Sequence, residues 1–297
     1  MLKIAENIRL ADKTTYRIGG PARYYAEPRS EEGVVEACRF AAEREMPLFI
    51  LGNGSNVLIS DAGFGGLVVN VSKYFSALTW DGATAFVLSG FPLDALAAAA
   101  AERGCAGIEC LSGIPGTVGG AVVMNAGAFD ADVSRTLRSV RVFKLSANTI
   151  ETVSAKDLCL GYRTSKLKGS GDAVLAATFC FTSGDAAQIK SVRDDILFKR
   201  KSKQPVESPS CGSVFKRPPN GFAGTLIEQC GLKGFRAGMA EVSEKHANFI
   251  INKGNAKAED VRAVIRHVQQ TVFEKHGVML EPEVIFLGEF KDPLYKF

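Results

Sequence analysis

The chain has 297 residues, 46% hydrophobic and 23% charged, with 36 basic against 32 acidic side chains and a formal net charge of +4. That length allows two domains, or three small ones sharing a core, and the composition carries no signature of disorder. The weak positive balance argues against nucleic acid as a partner and suits a small anionic substrate. The start, Met1-Leu2-Lys3-Ile4-Ala5-Glu6, lacks the basic and apolar regions of a signal peptide, and the most apolar run, near residues 93–101, contains Asp94 and is too short to span a bilayer. A soluble, cytoplasmic protein without membrane insertion is expected. Seven cysteines without a C-x-x-C pair (Cys38, Cys105, Cys110, Cys159, Cys180, Cys211, Cys230) fit thiols in a reducing compartment. Three scattered histidines, His246, His267 and His276, suggest no metal centre.

Along the chain, Val34, Val35, Cys38, Ala41 and Ala42 keep helical spacing through residues 34–43, Met46-Pro47 ends that helix, and Leu48-Phe49-Ile50-Leu51 reads as a short buried strand. It leads into the loop Gly52-Asn53-Gly54-Ser55-Asn56. A helix over residues 92–103 begins with Pro92 in its first turn. A glycine-dense loop follows, from Ser112 through Gly113, Ile114, Pro115, Gly116, Thr117 and Val118 to Gly119 and Gly120. Strands are expected at 140–145 and 173–181, then a helix from about 186 to 201 whose basic end, Lys199, Arg200, Lys201 and Lys203, suits a helix C-terminus. Gln204-Pro205 and Ser208-Pro209 mark a domain boundary. Beyond it, Asn255 is placed to cap a helix with core residues Val261, Val264, Ile265, Val268 and Val272. Gly277 stops that helix, and a strand over 278–287 carries Glu281 and Glu283.

The first loop offers glycines for close approach and Ser55 and Asn56 as hydrogen-bonding partners, as phosphate-binding loops do. It is neither a dinucleotide fingerprint, since Val57 occupies the third glycine position, nor a Walker loop, and a tight turn explains it equally well. The second loop, continuing through Met124-Asn125-Ala126-Gly127, has more glycines than a turn needs and describes backbone pressed against something flat or anionic. Two such loops on one scaffold suggest a bound dinucleotide.

Ile18-Gly19-Gly20-Pro21-Ala22, the two glycine loops, Gly161-Tyr162-Arg163-Thr164-Ser165, Cys211-Gly212-Ser213-Val214-Phe215-Lys216, Gly224-Thr225-Leu226-Ile227-Glu228, Gly231-Leu232-Lys233-Gly234 and Leu280-Glu281-Pro282-Glu283-Val284 occur in this order. In that order the chain resembles the UDP-N-acetylenolpyruvoylglucosamine reductase family from about residue 11 to 288. The resemblance implies an α+β protein with the vanillyl-alcohol-oxidase/PCMH-type FAD-binding fold. Its parts would be FAD subdomains at 1–70 and 71–203 and a C-terminal α+β substrate-binding domain at 204–297, whose last strand is allowed to pack back on the FAD domain. It implies FAD, held non-covalently because the FAD half has no histidine, and NADPH as the hydride-donating cosubstrate. The cofactor-binding residues it implies are Gly52, Asn53, Gly54, Ser55, Asn56, Ser112, Gly113, Ile114, Pro115, Gly116, Thr117, Gly119, Gly120, Asn125 and Gly127.

The implied reaction sends hydride through the flavin to the enolpyruvyl β-carbon of a UDP-amino sugar, in cell-wall peptidoglycan synthesis. A proton then reaches the α-carbon, so the site needs charge stabilisation and one placed acid. By the resemblance, Arg163 grips the substrate carboxylate, Ser213 donates the proton and Glu283 assists, while Lys203 and Gln229 contact the UDP-sugar. Without it, each has a plainer reading: a surface arginine, a turn serine and an exposed strand carboxylate. Cys211, two residues from Ser213, reads as a small buried neighbour. Arg217 and Ile285 stand where the better-known form has Asn and Arg, and residues 164–172 leave no room for an inserted tyrosine loop, so the chain is similar to the shorter subgroup. Two other readings stand beside this one: another flavin oxidase or dehydrogenase acting on a sugar or hydroxy acid, and a colourless nucleotide-binding protein. No oligomeric partner is implied.

Overall fold

The computed structural model describes residues 2–219 and 221–291. The chain forms two compact units, each assembled from separated stretches: Met1–Glu6, Tyr24–Asn53 and Gly66–Lys199 in one, Asn7–Arg23, Gly54–Gly65 and Arg200–Phe297 in the other. Strands and helices are mixed in both. Among the described residues no helix is long and apolar enough to cross a membrane.

In the first unit, a five-stranded antiparallel sheet runs in the order Thr149–Ser154, Leu137–Lys144, Ala173–Cys180, Thr84–Leu88, Leu78–Asp81. The helix Leu93–Glu102 buries Leu93, Leu96, Ala97, Ala100 and Ala101, an i, i+3, i+4, i+7, i+8 stripe, and the first four share a core with Val87, Val140 and Phe179 on the sheet. Its alanines let backbone come close and add little side-chain entropy cost. Pro92 sits at the N-cap in extended conformation rather than inside the first turn, one residue earlier than its sequence suggested. There it pairs with Thr117 and so fixes the glycine-dense loop to the head of this helix. The helix Glu31–Glu43 starts before the apolar stripe because Ser30 caps it, accepting the Gly33 N–H at 3.3 Å. The strand Leu48–Leu51 pairs in parallel with Phe64–Asn70, Leu51 opposite Asn70, and delivers the chain to Gly52.

The second unit is built on an antiparallel sheet, Ser210–Ser213, Phe249–Asn252, Ala240–Val242, Arg236–Ala237, with the helices Ala223–Gln229 and Ala258–His276. Val261, Val264, Ile265, Val268 and Val272 of the long helix are buried beside Val242 and Ile250 of the sheet. Gly277 ends it at φ 65°, its N–H donating to Phe273 O at 2.8 Å. The start differs from the sequence reading. Asn255 is not the cap: the helix begins at Ala258, and the Asp61 carboxylate accepts the N–H groups of Ala258 and Glu259 at 2.9 and 3.2 Å. A carboxylate from a distant turn satisfies these donors and complements the helix dipole, which no local pattern could reveal. The expected strand over 278–287 shortens to Ile285–Leu287, pairing in parallel with Val57–Ile59, because Pro282 makes only a single bridge, to Phe215.

Candidate functional site

In the first unit the Leu48–Leu51 strand and the helix head bring the start of one glycine loop against the other. The Asn53 amide donates to Pro115 O at 3.0 Å, and Leu93 N–H donates to Gly116 O at 3.0 Å. Gly113 N–H donates to the Asp94 carboxylate at 2.8 Å, which also pairs with Arg193 at 3.2 Å. Ile114 N–H closes a turn onto Leu111 O, and Ser112 is buried. Residues 118–123, read from sequence as the end of a loop with glycines, form a short helix capped by Thr117, whose hydroxyl accepts the Gly120 N–H at 3.4 Å.

The glycines here do two different jobs. At Gly52 a Cβ would run into the Thr117 hydroxyl, and at Gly119 it would come within 2.7 Å of Ser89 Cβ, so both are small because protein packs on them. Gly120 is exposed, and the nearest atom to a Cβ there is 3.6 Å away. The short helix is thus closed at Gly119 and open at Gly120. That open glycine surface fits a flat or anionic cofactor laid along the backbone.

Asn125 and Gly127 connect this loop to Arg163. The Asn125 amide donates to Gly161 O at 3.0 Å and its carbonyl accepts Ser134 N–H at 3.1 Å, so the side chain ties down the turn that carries Arg163. Gly161 and Thr164 close that turn with hydrogen bonds of 3.1 and 3.3 Å. Arg163 itself has φ 56°, a left-handed angle that is strained for a bulky residue. Its guanidinium donates to Gly127 O at 2.7 Å and lies 5.0 Å from the Tyr162 ring. A Cβ on Gly127 would stand 3.2 Å from Arg163 Nη1 and 2.8 Å from Ala131 O, so glycine is what lets the arginine approach.

In the second unit, Ser213 ends a bulged strand. Ser210 pairs with Ile251 and Ser213 with Phe249, one residue more on this strand than on its partner, with Gly212 at φ 79° taking the left-handed position. Asn248 fixes the two residues after Ser213: its side chain accepts Phe215 N–H at 3.0 Å and donates to Phe215 O at 2.9 Å, while its own carbonyl accepts Val214 N–H at 2.8 Å. Glu283 N–H donates to Val214 O at 2.7 Å, and the Asn56 amide donates to Glu283 O at 3.3 Å. Ser213 and Glu283 are therefore carried by two neighbouring, hydrogen-bonded stretches. Lys216 pairs with Glu281, two residues before Glu283. Cys211 is buried with Tyr16. Burial pushes its thiol up to about 12, helped by the charge of Glu283, which keeps it neutral and packed.

Gly54, at φ 60°, has Lys13 O and Thr14 Cα within 2.8 Å of where a Cβ would be, so local packing alone demands glycine. Ser55 follows it, half-buried. Lys203 and Gln229 are exposed last residues of the helices Ala186–Lys203 and Ala223–Gln229. The Arg217 guanidinium stacks 4.2 Å from the Phe222 ring, and Ile285 N–H donates to Asn56 O at 3.0 Å. Asn248 and Asp61 escaped sequence reading altogether, since an asparagine or aspartate gives no sign of the distant backbone that it holds.

Two family models match the chain: an FAD binding domain over residues 22–154, and the C-terminal domain of UDP-N-acetylenolpyruvoylglucosamine reductase over residues 204–287. The chain is similar to the UDP-N-acetylenolpyruvoylglucosamine reductases of Caldicellulosiruptor bescii, 44% identical over 96% of this chain and 91% of that one, and of Geobacillus thermodenitrificans, 47% identical over 93% and 90%. The crystal structure of the enzyme of that name from Thermus caldophilus superposes with a TM-score of 0.84 at 35% identity, covering 97% of this chain and all of the other.

Proposed function

The chain belongs to the UDP-N-acetylenolpyruvoylglucosamine reductase family and is an FAD-dependent oxidoreductase, and from that premise we propose how its own residues perform the reduction. It reduces UDP-N-acetylenolpyruvoylglucosamine in peptidoglycan synthesis, with NADPH as the hydride donor. Bound FAD supplies the relay of hydride from NADPH to the enolpyruvyl β-carbon. Gly52 to Asn56, Ser112 to Thr117, Gly119 and Gly120 hold that cofactor, with Gly120 as the open surface. Asn125, Gly127 and Asn56 serve partly by positioning, the first two through Arg163 and the third through Glu283.

Arg163 holds the substrate carboxylate and stabilises the charge that builds on it as hydride arrives. A guanidinium does this while still donating to Gly127 O, because its fork offers several fixed N–H directions. Ser213 gives its hydroxyl proton to the α-carbon, which completes the new C–H bond, and is reprotonated from solvent. Glu283 orients and supports that step. Lys203 and Gln229 contact the UDP portion, within a substrate-binding part spanning 204–297 and the end of the preceding helix. Arg217 and Ile285 stand where the better-known form has Asn and Arg, so the diphosphate contacts there differ in kind from that form's. A cytoplasmic location fits both an NADPH-using step and seven cysteines that are all thiols.

The observation that carries this reading is the left-handed Arg163 locked onto Gly127, because strain of that sort persists where the surrounding structure enforces it for use. Purified protein should be yellow, release FAD on acid denaturation, and oxidise NADPH only when the UDP-enolpyruvyl sugar is present. A colourless protein that takes up no added FAD, or one that ignores this sugar and consumes oxygen with another substrate, contradicts the proposal.

A further inference from the structure

The strands Gly127–Ala128 and Ala131–Asp132 form a hairpin with Ala128 opposite Ala131, leaving a two-residue tip, Phe129-Asp130. Both tip residues have positive φ, 49° and 61°. Such tips favour Asn-Gly or Gly-Gly, since an aromatic side chain is poorly suited to the left-handed angle. Phe129 is 42% exposed, so much of the residue stays open to solvent. The base of this hairpin is the Gly127 carbonyl that anchors Arg163.

We infer that Phe129 is a substrate-binding residue that packs on the sugar ring of the enolpyruvyl substrate. The inference rests on the role of Arg163 proposed above. In that substrate the carboxylate is joined to the amino-sugar ring through only the α-carbon and one ether oxygen. A ligand whose carboxylate is held by Arg163 therefore places its pyranose next to the hairpin that Arg163 is bonded to. A pyranose presents a face of C–H bonds, and an aromatic ring is the side chain that buries such a face without needing a hydrogen bond. The strained turn is kept because it displays that ring beside the anchored arginine.

The test titrates UDP-N-acetylglucosamine enolpyruvate into the oxidised holoenzyme, read by the change in flavin absorbance, in wild type, Phe129→Gly, Phe129→Leu and Phe129→Tyr. Glycine takes the left-handed angle without strain, so Phe129→Gly should keep its FAD and melt no lower than wild type. Its substrate affinity should fall about tenfold, the scale of one aromatic contact. Leucine should fall between the two, and tyrosine should match wild type. NADPH should reduce the flavin in Phe129→Gly at an unchanged rate. Unchanged affinity in Phe129→Gly overturns the inference, as does loss of FAD or a slowed NADPH step, which would assign the hairpin to the cofactor. Wild type that does not bind the sugar at all would instead overturn the functional reading and this inference with it.

Discussion

Arg163 combines three features that a surface arginine lacks: a left-handed backbone angle, a short bond to Gly127 O, and a neighbouring turn held by the Asn125 side chain. Each fixes the guanidinium a little more, and a fixed donor aimed at developing charge is worth more than a mobile one. Lysine would keep the charge and lose the fork. Arg163→Lys should therefore lower kcat by about 10²–10³-fold, the usual cost of one such donor, with a smaller change in KM. Steady-state kinetics at saturating NADPH check this, and near-normal kcat would return Arg163 to an ordinary surface role. Cys211 shows the opposite case. It lies two residues from Ser213, yet burial raises its thiol to about 12, and its neighbours are core residues such as Val214 and Ile250. A neutral, packed thiol is a filler of space.

At the scale of elements, the glycine loops show what was legible in the sequence. The helix Ala258–His276 and its stop at Gly277 were readable because apolar spacing and a left-handed cap are local signals. The carboxylate that accepts its first N–H groups, Asp61, was not, because 197 residues separate it from Ala258. The bulge before Ser213 was hidden in the same way: Cys211-Gly212-Ser213 looks like a turn until Phe249–Asn252 is laid beside it. Glycine density singled out the loops but could not tell a glycine that packs on protein from one that leaves a surface open. Gly54 and Gly120 separate these cases. Gly54→Val forces a branched side chain onto Lys13 and Thr14 at φ 60°, and should cost stability whether or not FAD is present. At Gly120 a Cβ stays 3.6 Å from the Thr117 hydroxyl, so Gly120→Val should fold with close to wild-type melting of the apoprotein while losing FAD. Melting curves with and without added FAD decide the matter. A Gly120→Val protein that remains fully yellow would place the cofactor elsewhere.

Over the whole molecule, the proposed chemistry draws on residues far apart in the chain, Arg163, Ser213 and Glu283. The reaction divides in time as well, into delivery of hydride by NADPH and its use by the enolpyruvyl sugar. If Ser213 supplies only the final proton, the first half proceeds without it. In Ser213→Ala, rapid-mixing absorbance should show NADPH reducing the flavin at nearly the wild-type rate. Reoxidation by UDP-N-acetylglucosamine enolpyruvate should slow by about 10²–10⁴-fold, the range for a lost general acid, with little change in substrate affinity. Equal slowing of both halves, or reoxidation that stalls in Cys211→Ala and not in Ser213→Ala, would contradict the account.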